Sequence, residues 1–269
     1  MRQTDMIIDF HTHVFPDELA PRAIHELTAN IDYIYTPVHD GTLAGLVRNM
    51  DDWHIDISVV QPVITRQSQF QKINEWAAGV QSDKVICFGG IFPDGDHYKQ
   101  DIDYIVSLGL KGLKFHPEYQ RFSVDEERMF EIYDYALSRD LILLFHAGYD
   151  PGFPAPFKSS PKQFLHVVQA MGGGVIIAAH LGGHAQWDDV EEYLAGSGIY
   201  LDTSMGFDYY PEDQFLRILK KHGPDKILFA SDAPWSNAGS EAEHVRSLPI
   251  SEGAVSSILS GNAKRILKL

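Results

Sequence analysis

Short apolar, β-rich runs recur along the whole chain, at residues 6–13, 55–63, 85–92, 110–117, 141–148, 174–182, 198–204 and 226–234. Most are nearly continuous in apolar character rather than alternating. That is the pattern of strands buried on both faces of a parallel sheet. The segments between them repeat apolar residues at helical spacing. Residues 42–53 set Leu43, Leu46, Val47 and Met50 on one face, and 125–139 do the same with Met129, Ile132, Tyr133 and Ala136. Residues 163–171, 188–195 and 211–221 follow suit. Ser123 and Asp125 stand near one helix start and Pro211 near another, as initiation signals do.

Eight strands alternating with helices predict either a closed barrel or a large doubly wound sheet. No strand is followed by a G-x-G-x-x-G turn or a phosphate-binding loop, which the doubly wound reading would favour. The 269 residues also match the roughly 250 of one eight-stranded α/β barrel. The expectation is therefore a single (β/α)8 TIM barrel domain spanning 1–269. An extended loop follows the first strand (15–40, with a short helix at 17–29), and a proline-rich stretch, 149–161, follows the fifth. Loops after barrel strands rim the active site, so both are candidate substrate covers.

Composition narrows the partners. With 22 Lys plus Arg against 37 Asp plus Glu, the formal net charge of −15 speaks against nucleic acid or anionic membrane. The expected partner is a small molecule. A single cysteine, Cys87, inside an apolar run reads as a small buried hydrophobe and fits a reducing compartment. No basic stretch leading into an apolar core opens the sequence, and no uncharged apolar run reaches ~18 residues. A cytoplasmic protein is expected.

The chemistry gathers at strand ends. The first strand closes in Asp9-Phe10-His11-Thr12-His13, where strand alternation would put Asp9, His11 and His13 on one face. Two imidazoles at i and i+2 can converge on one ion, with Asp9 orienting a ring from behind. His116 ends the fourth strand, His146 the fifth, His180 the sixth and Asp232 the eighth. Barrel strands converge on one mouth at their C-terminal ends, and such a cluster of imidazole and carboxylate reads first as metal ligands. Lys114 shares parity with His116, so both could face the interior. Lys114 could bind an anionic substrate or pair with a carboxylate; His116 could contact substrate or a second metal. Trp235, behind Asp232, is a candidate for stacking on substrate and equally for packing. Gln61, Asp202 and Ser204 fit a pocket wall, with turn or packing roles as alternatives.

With H-x-H on strand one, His on strands five and six and Asp on strand eight, the chain resembles the amidohydrolase superfamily. "GLKFHP", "LFHAG", "AAHLGG", "FASDAPW" and "GNAKRIL" resemble its amidohydrolase-2 branch, which includes aminocarboxymuconate semialdehyde decarboxylase. The likeness runs from Met6 to about Leu267. It implies that His11, His13, His146 and Asp232 hold one divalent metal per chain, zinc by preference, with manganese, iron or cobalt acceptable to the same donors; binuclear members of the superfamily place a carboxylated lysine on the fourth strand, so Lys114 could instead be such a bridge between two ions. It further implies that Asp232 and His180 carry catalysis beside a metal-bound water, and family habit adds a homodimer.

The leading expectation is a metal-dependent hydrolase of a small molecule. Its rival is a non-oxidative decarboxylase on a small carboxylic acid with the same ligands; the compact chain leans slightly towards hydrolysis. A catalytically silent metal- or ligand-binding barrel is the alternative of another class.

Overall fold

The computed structural model describes residues 6–95 and 97–269. All the predicted strands form. They are β1 (Ile8–Thr12), β2 (Ile57–Val60), β3 (Val85–Cys87, resuming at Gly89–Gly90), β4 (Gly112–Phe115), β5 (Ile142–Phe145), β6 (Ile176–Ala178), β7 (Tyr200–Asp202) and β8 (Ile227–Leu228). Each pairs in parallel with its sequence neighbours. The third strand is continuous across Phe88, whose N–H donates to the Val60 carbonyl at 2.9 Å. The last strand returns to the first. Phe10 N donates to Phe229 O (2.9 Å), Asp232 N to His11 O (2.8 Å) and His13 N to Ala233 O (2.6 Å), and Thr12 and Ala233 form a parallel bridge. The sheet is therefore a closed barrel.

Alternation along the strands divides the apolar residues into two clusters. Ile8, Phe10, Ile57, Val59, Ile86, Phe88, Ile142, Leu144, Ile177, Ala179, Leu228 and Ala230 fill the barrel interior. The opposite parity, including Leu113, Phe115, Leu143 and Phe145, meets helix residues such as Met129, Ile132 and Phe164 outside. Gly112 makes room within: a Cβ there would lie 2.5 Å from the Phe88 ring. The helix Asn262–Leu267 adds Ala263 and Leu267 to the interior cluster and so packs against the barrel bottom.

One irregularity governs the site. Asp9 is opposite Ser58 but Thr12 is opposite Val60, so β1 spends three steps where β2 spends two. Such a bulge reverses side-chain parity. Ile8 and Phe10 point inward before it, yet so do His11 and His13 at and after it, and Asp9 lies on the outer side.

Among the helices, Leu43–Trp53 starts where Thr42 Oγ1 accepts from Gly45 N (3.0 Å), and Glu212–His222 starts after Pro211. The segment predicted at 188–195 is instead a turn of α-helix, Trp187–Asp189, running into a π-turn, Val190–Leu194. Ser123 and Asp125 do not cap Glu127–Ser138; their side chains take hydrogen bonds from Gln163 Nε2, at 2.6 and 3.1 Å. Two further barrel helices, Phe70–Gly79 and Tyr98–Ser107, lie outside the predicted set. The first buries Asn74 among its apolar residues, where it bonds both Phe70 O and Gly90 O, which interrupts the apolar period. No helix among the described residues is long and apolar enough to cross a membrane. Cys87 is fully buried, and burial pushes its thiol up to about 12.

Asn262 ties the closing helix to the barrel: its amide donates to Pro224 O and Ile227 O, both at 2.7 Å. Asn262→Ala removes the side-chain donor from both carbonyls and is expected to cost about 1–3 kcal/mol of stability, read from a lowered denaturant midpoint.

Candidate metal centre

Three donor atoms converge at the mouth. His11 Nε2 and His13 Nε2 are 3.1 Å apart, and lie 3.3 and 3.1 Å from Asp232 Oδ1. Ligands about 2.0–2.1 Å from a tetrahedral ion stand roughly 3.4 Å from one another, so the spacing fits one ion. The tautomers fit as well. His11 Nδ1–H donates to Asp202 Oδ2 (3.0 Å) and His13 Nδ1–H to the Gln61 carbonyl (2.8 Å), so each ring presents its Nε2 lone pair. Fixing a ligand ring through its other nitrogen is what orients imidazoles at metal sites.

Asp202 sits where only an acceptor can. Beside His11 Nδ1, its carboxylate receives His180 N (2.9 Å), Ser204 N (3.1 Å) and Ser204 Oγ (2.5 Å). Because the Ser204 hydroxyl donates to Asp202, it accepts from His180 Nδ1–H, 2.9 Å away. His180 Nε2 is then the acceptor for His146 Nδ1–H at 3.0 Å. The chain ends on His146 Nε2, a buried lone pair with no hydrogen-bond partner among the described residues. An unpaired buried acceptor is a costly feature that a bound ion would relieve.

His146 also closes a second group. Its ring stacks on His116 (centroids 4.3 Å apart, 7° between planes), and His116 Nε2 lies 3.3 Å from Asp150 Oδ2. His116, His146 and Asp150 offer ligand atoms within 4.8 Å of one another, as do His11, His180 and Asp202. Lys114, fully buried, points its Nζ at His11 Nε2 (2.6 Å).

Burial lowers the basicity of these imidazoles. His11 and His146 fall well below the usual histidine value, and His180 and His184 drop to about 4, all chiefly through desolvation. Desolvation likewise lowers Lys114 to about 8. Burial opposes ionisation of Asp232 too, but His11, His13 and His180 outweigh it and hold the carboxyl below its ordinary range. Neutral imidazoles beside an ionised carboxylate are the protonation state that metal ligation requires.

Among the sequence candidates, His11, His13 and Asp232 share one point, with Lys114 against it; His146 reaches them by way of His180, and His116 stands beside His146. Asp9 departs from expectation. The bulge turns the two histidines inward and leaves Asp9 on the outer side, where its carboxylate takes hydrogen bonds from Ser231, and Asp202 is the residue that orients His11. Trp235 is half-buried after Asp232, and its ring pairs with no other aromatic ring among the described residues. Asp150 carries no strand or motif signal in the sequence beyond trailing His146 by four residues. Gln120, also unforeseen, accepts from His116 N (2.8 Å) while donating to Ile64 O and Ile91 O, thereby tying three strand ends.

The rim is aromatic. Tyr35, Tyr209, His184, Tyr149 and Phe157 form a run of ring contacts at centroid distances of 5.4–6.0 Å, drawn from the loops after β1, β5, β6 and β7. Loops five and six approach closely at Gly148 (φ +85°), where a Cβ would lie 2.3 Å from His184 N.

A closed parallel barrel with imidazole and carboxylate donors at its C-terminal mouth defines a metal-dependent barrel protein. The amidohydrolase family model matches residues 8–269, so the chain belongs to the amidohydrolase family and is an enzyme of the hydrolase or carboxy-lyase type. No curated protein matches its sequence. Similar solved structures include an uncharacterized TIM-barrel protein from Bordetella bronchiseptica (19% identity, TM-score 0.77, 98% of each chain covered). Another is 5-carboxyvanillate decarboxylase from Sphingomonas paucimobilis (13%, 0.71, 99% of this chain and 100% of that). A third is dihydroxybenzoic acid decarboxylase from Polaromonas sp. JS666, with bound manganese and the inhibitor 2-nitroresorcinol (16%, 0.71, 99% and 98%). These likenesses show the fold, while the donor set by itself is one that fits a divalent ion.

Asp202→Asn puts an amide N–H₂ against a position where every neighbour donates. It is expected to weaken binding of a divalent ion by about 10–100-fold, measured by competition with a chelating dye.

Proposed function

We propose that the protein is a metal-dependent carboxy-lyase acting on a small, flat hydroxy-carboxylic acid. His11, His13, His146 and Asp232 would hold one divalent ion, zinc or manganese. The observation that carries this reading is the convergence of His11 Nε2, His13 Nε2 and Asp232 Oδ1, with each imidazole locked to expose its lone pair. The same donors serve hydrolysis, so the choice between reactions rests on the substrate side. The aromatic rim suits a planar ring, and two of the similar structures are decarboxylases of hydroxylated aromatic acids. The slight lean of the sequence towards hydrolysis rested on compactness; that lean falls away, because the alignments span 98–100% of those decarboxylase chains.

When bound, the ion would supply a Lewis acid for the substrate's carboxylate and neighbouring oxygen. The chain's residues do the rest. Lys114 is the buried amine beside the site and would pair with substrate anion. The carbon bearing the carboxylate takes a proton, the bond between them breaks, and its electron pair returns to the ring as carbon dioxide leaves. Asp232 and His180 are the groups that carry that proton. Gly148 and the loops it joins keep the rim rings together over the mouth and exclude water.

The test is incubation of the metal-loaded protein with 2,6-dihydroxybenzoate, 5-carboxyvanillate and related ortho-hydroxy acids, alongside aryl ester and lactone panels. Carbon dioxide release, lost together with bound metal in His146→Ala and Asp232→Asn and lost without it in His180→Ala, is the expected result. Turnover of esters or lactones alone would return the reading to hydrolysis, and full activity in either ligand variant would defeat the site.

A further inference from the structure

The bulge that sends His11 and His13 into the mouth leaves Asp9 behind the strand, fully buried at the seam between β1 and β8. There it is not idle. Asp9 Oδ1 accepts from Ser231 N (2.9 Å) and, more weakly, from His11 N (3.3 Å), and Asp9 Oδ2 accepts from Ser231 Oγ (2.6 Å). Ser231 Oγ accepts in turn from Ala233 N at 2.9 Å. The backbone N–H groups on both sides of Asp232 are thus tied, directly or through one hydroxyl, to a single carboxylate.

Asp232 needs that hold. Its φ of 69° is in the left-handed region, which costs an L residue of roughly 1–2 kcal/mol and persists only where surroundings impose it. Its own N–H donates to His11 O (2.8 Å), so the imposed turn is referenced to the strand that carries the two histidines. Metal ligation tolerates distance errors of only about 0.2 Å.

We propose that Asp9 and Ser231 are positioning residues for the metal centre, a clamp across the barrel seam that sets Asp232 Oδ1 against His11 Nε2 and His13 Nε2. This rests on the reading of those three groups as ligands. The clamp acts on the carboxylate that follows the adjacent strand, and touches neither imidazole ring nor substrate.

The experiment measures Zn²⁺ affinity of the folded protein by chelator competition, with thermal unfolding of the metal-free protein in parallel. Wild type, Asp9→Asn, Ser231→Ala and the double variant are compared. Each single change is expected to weaken Zn²⁺ binding by about tenfold or more. The double variant is expected to be no weaker than the worse single one, since both break the same linkage. Ser231→Ala, which removes one hydroxyl and no charge, keeps the test alive if Asp9→Asn does not fold. Lowered thermal stability with Zn²⁺ affinity unchanged from wild type would reduce the pair to ordinary packing and overturn the clamp. Failure of the wild type itself to bind Zn²⁺, Mn²⁺ or Co²⁺ would instead remove the metal reading, and the clamp with it.

Discussion

An eight-stranded parallel barrel closes only when its last strand pairs with its first, and in this chain that pairing brings His11 and His13 to Asp232. His11 and His13 stand at the end of β1 and Asp232 in the turn after β8, over two hundred positions apart, so no local preference can assemble them. The seam does so with main-chain hydrogen bonds, Phe10 to Phe229, Asp232 to His11 and His13 to Ala233. Chemistry here is a consequence of closure.

Closure also brings a cost. Imidazoles, an amine and carboxylates are packed where apolar side chains fill the layers below, and desolvation there penalises every charge. The site answers by hydrogen bonding in one direction. Donors run from His11 to Asp202, from Ser204 to Asp202, from His180 to Ser204 and from His146 to His180. One carboxylate, Asp202, sinks most of the chain, and what is left over is lone pairs directed at the mouth. Lys114 meets one of them at His11 Nε2. A metal would need that same lone pair, so lysine and ion would compete for it.

Much of this was legible in the sequence because barrel architecture converts strand ends into a common point. Apolar runs gave the strands, and His116, His146, His180 and Asp232 stand at their ends for reasons packing does not supply. Parity was the weak step. Reading Asp9, His11 and His13 as one face assumes an unbroken period of two, and the bulge between Asp9 and Thr12 breaks it without any glycine or proline to announce it. Left-handed backbone at His180 and Asp232 re-aims side chains in a similarly silent way. Asp202 was visible only as a polar strand end, since its importance lies in four donors that come from three different strands. The Phe70–Gly79 helix went unread because Asn74 holds a core position by bonding backbone.

The division between strands and loops bears on which reaction the barrel runs. Strand-borne donors are shared across chemistries, and loops carry what distinguishes one substrate from another. In this chain the loops contribute rings: Tyr35, Tyr149, Phe157, His184 and Tyr209 come from four separate connections yet form one contact series. The exposure of Tyr209 (44%) places part of that series at the surface rather than in the core, where simple packing would have hidden it. On the proposed reading, a rim of flat side chains over a site with one buried amine would discriminate by shape and a single anionic group. That is the demand a planar carboxylic acid makes, whereas an ester or amide offers the amine no charge to meet.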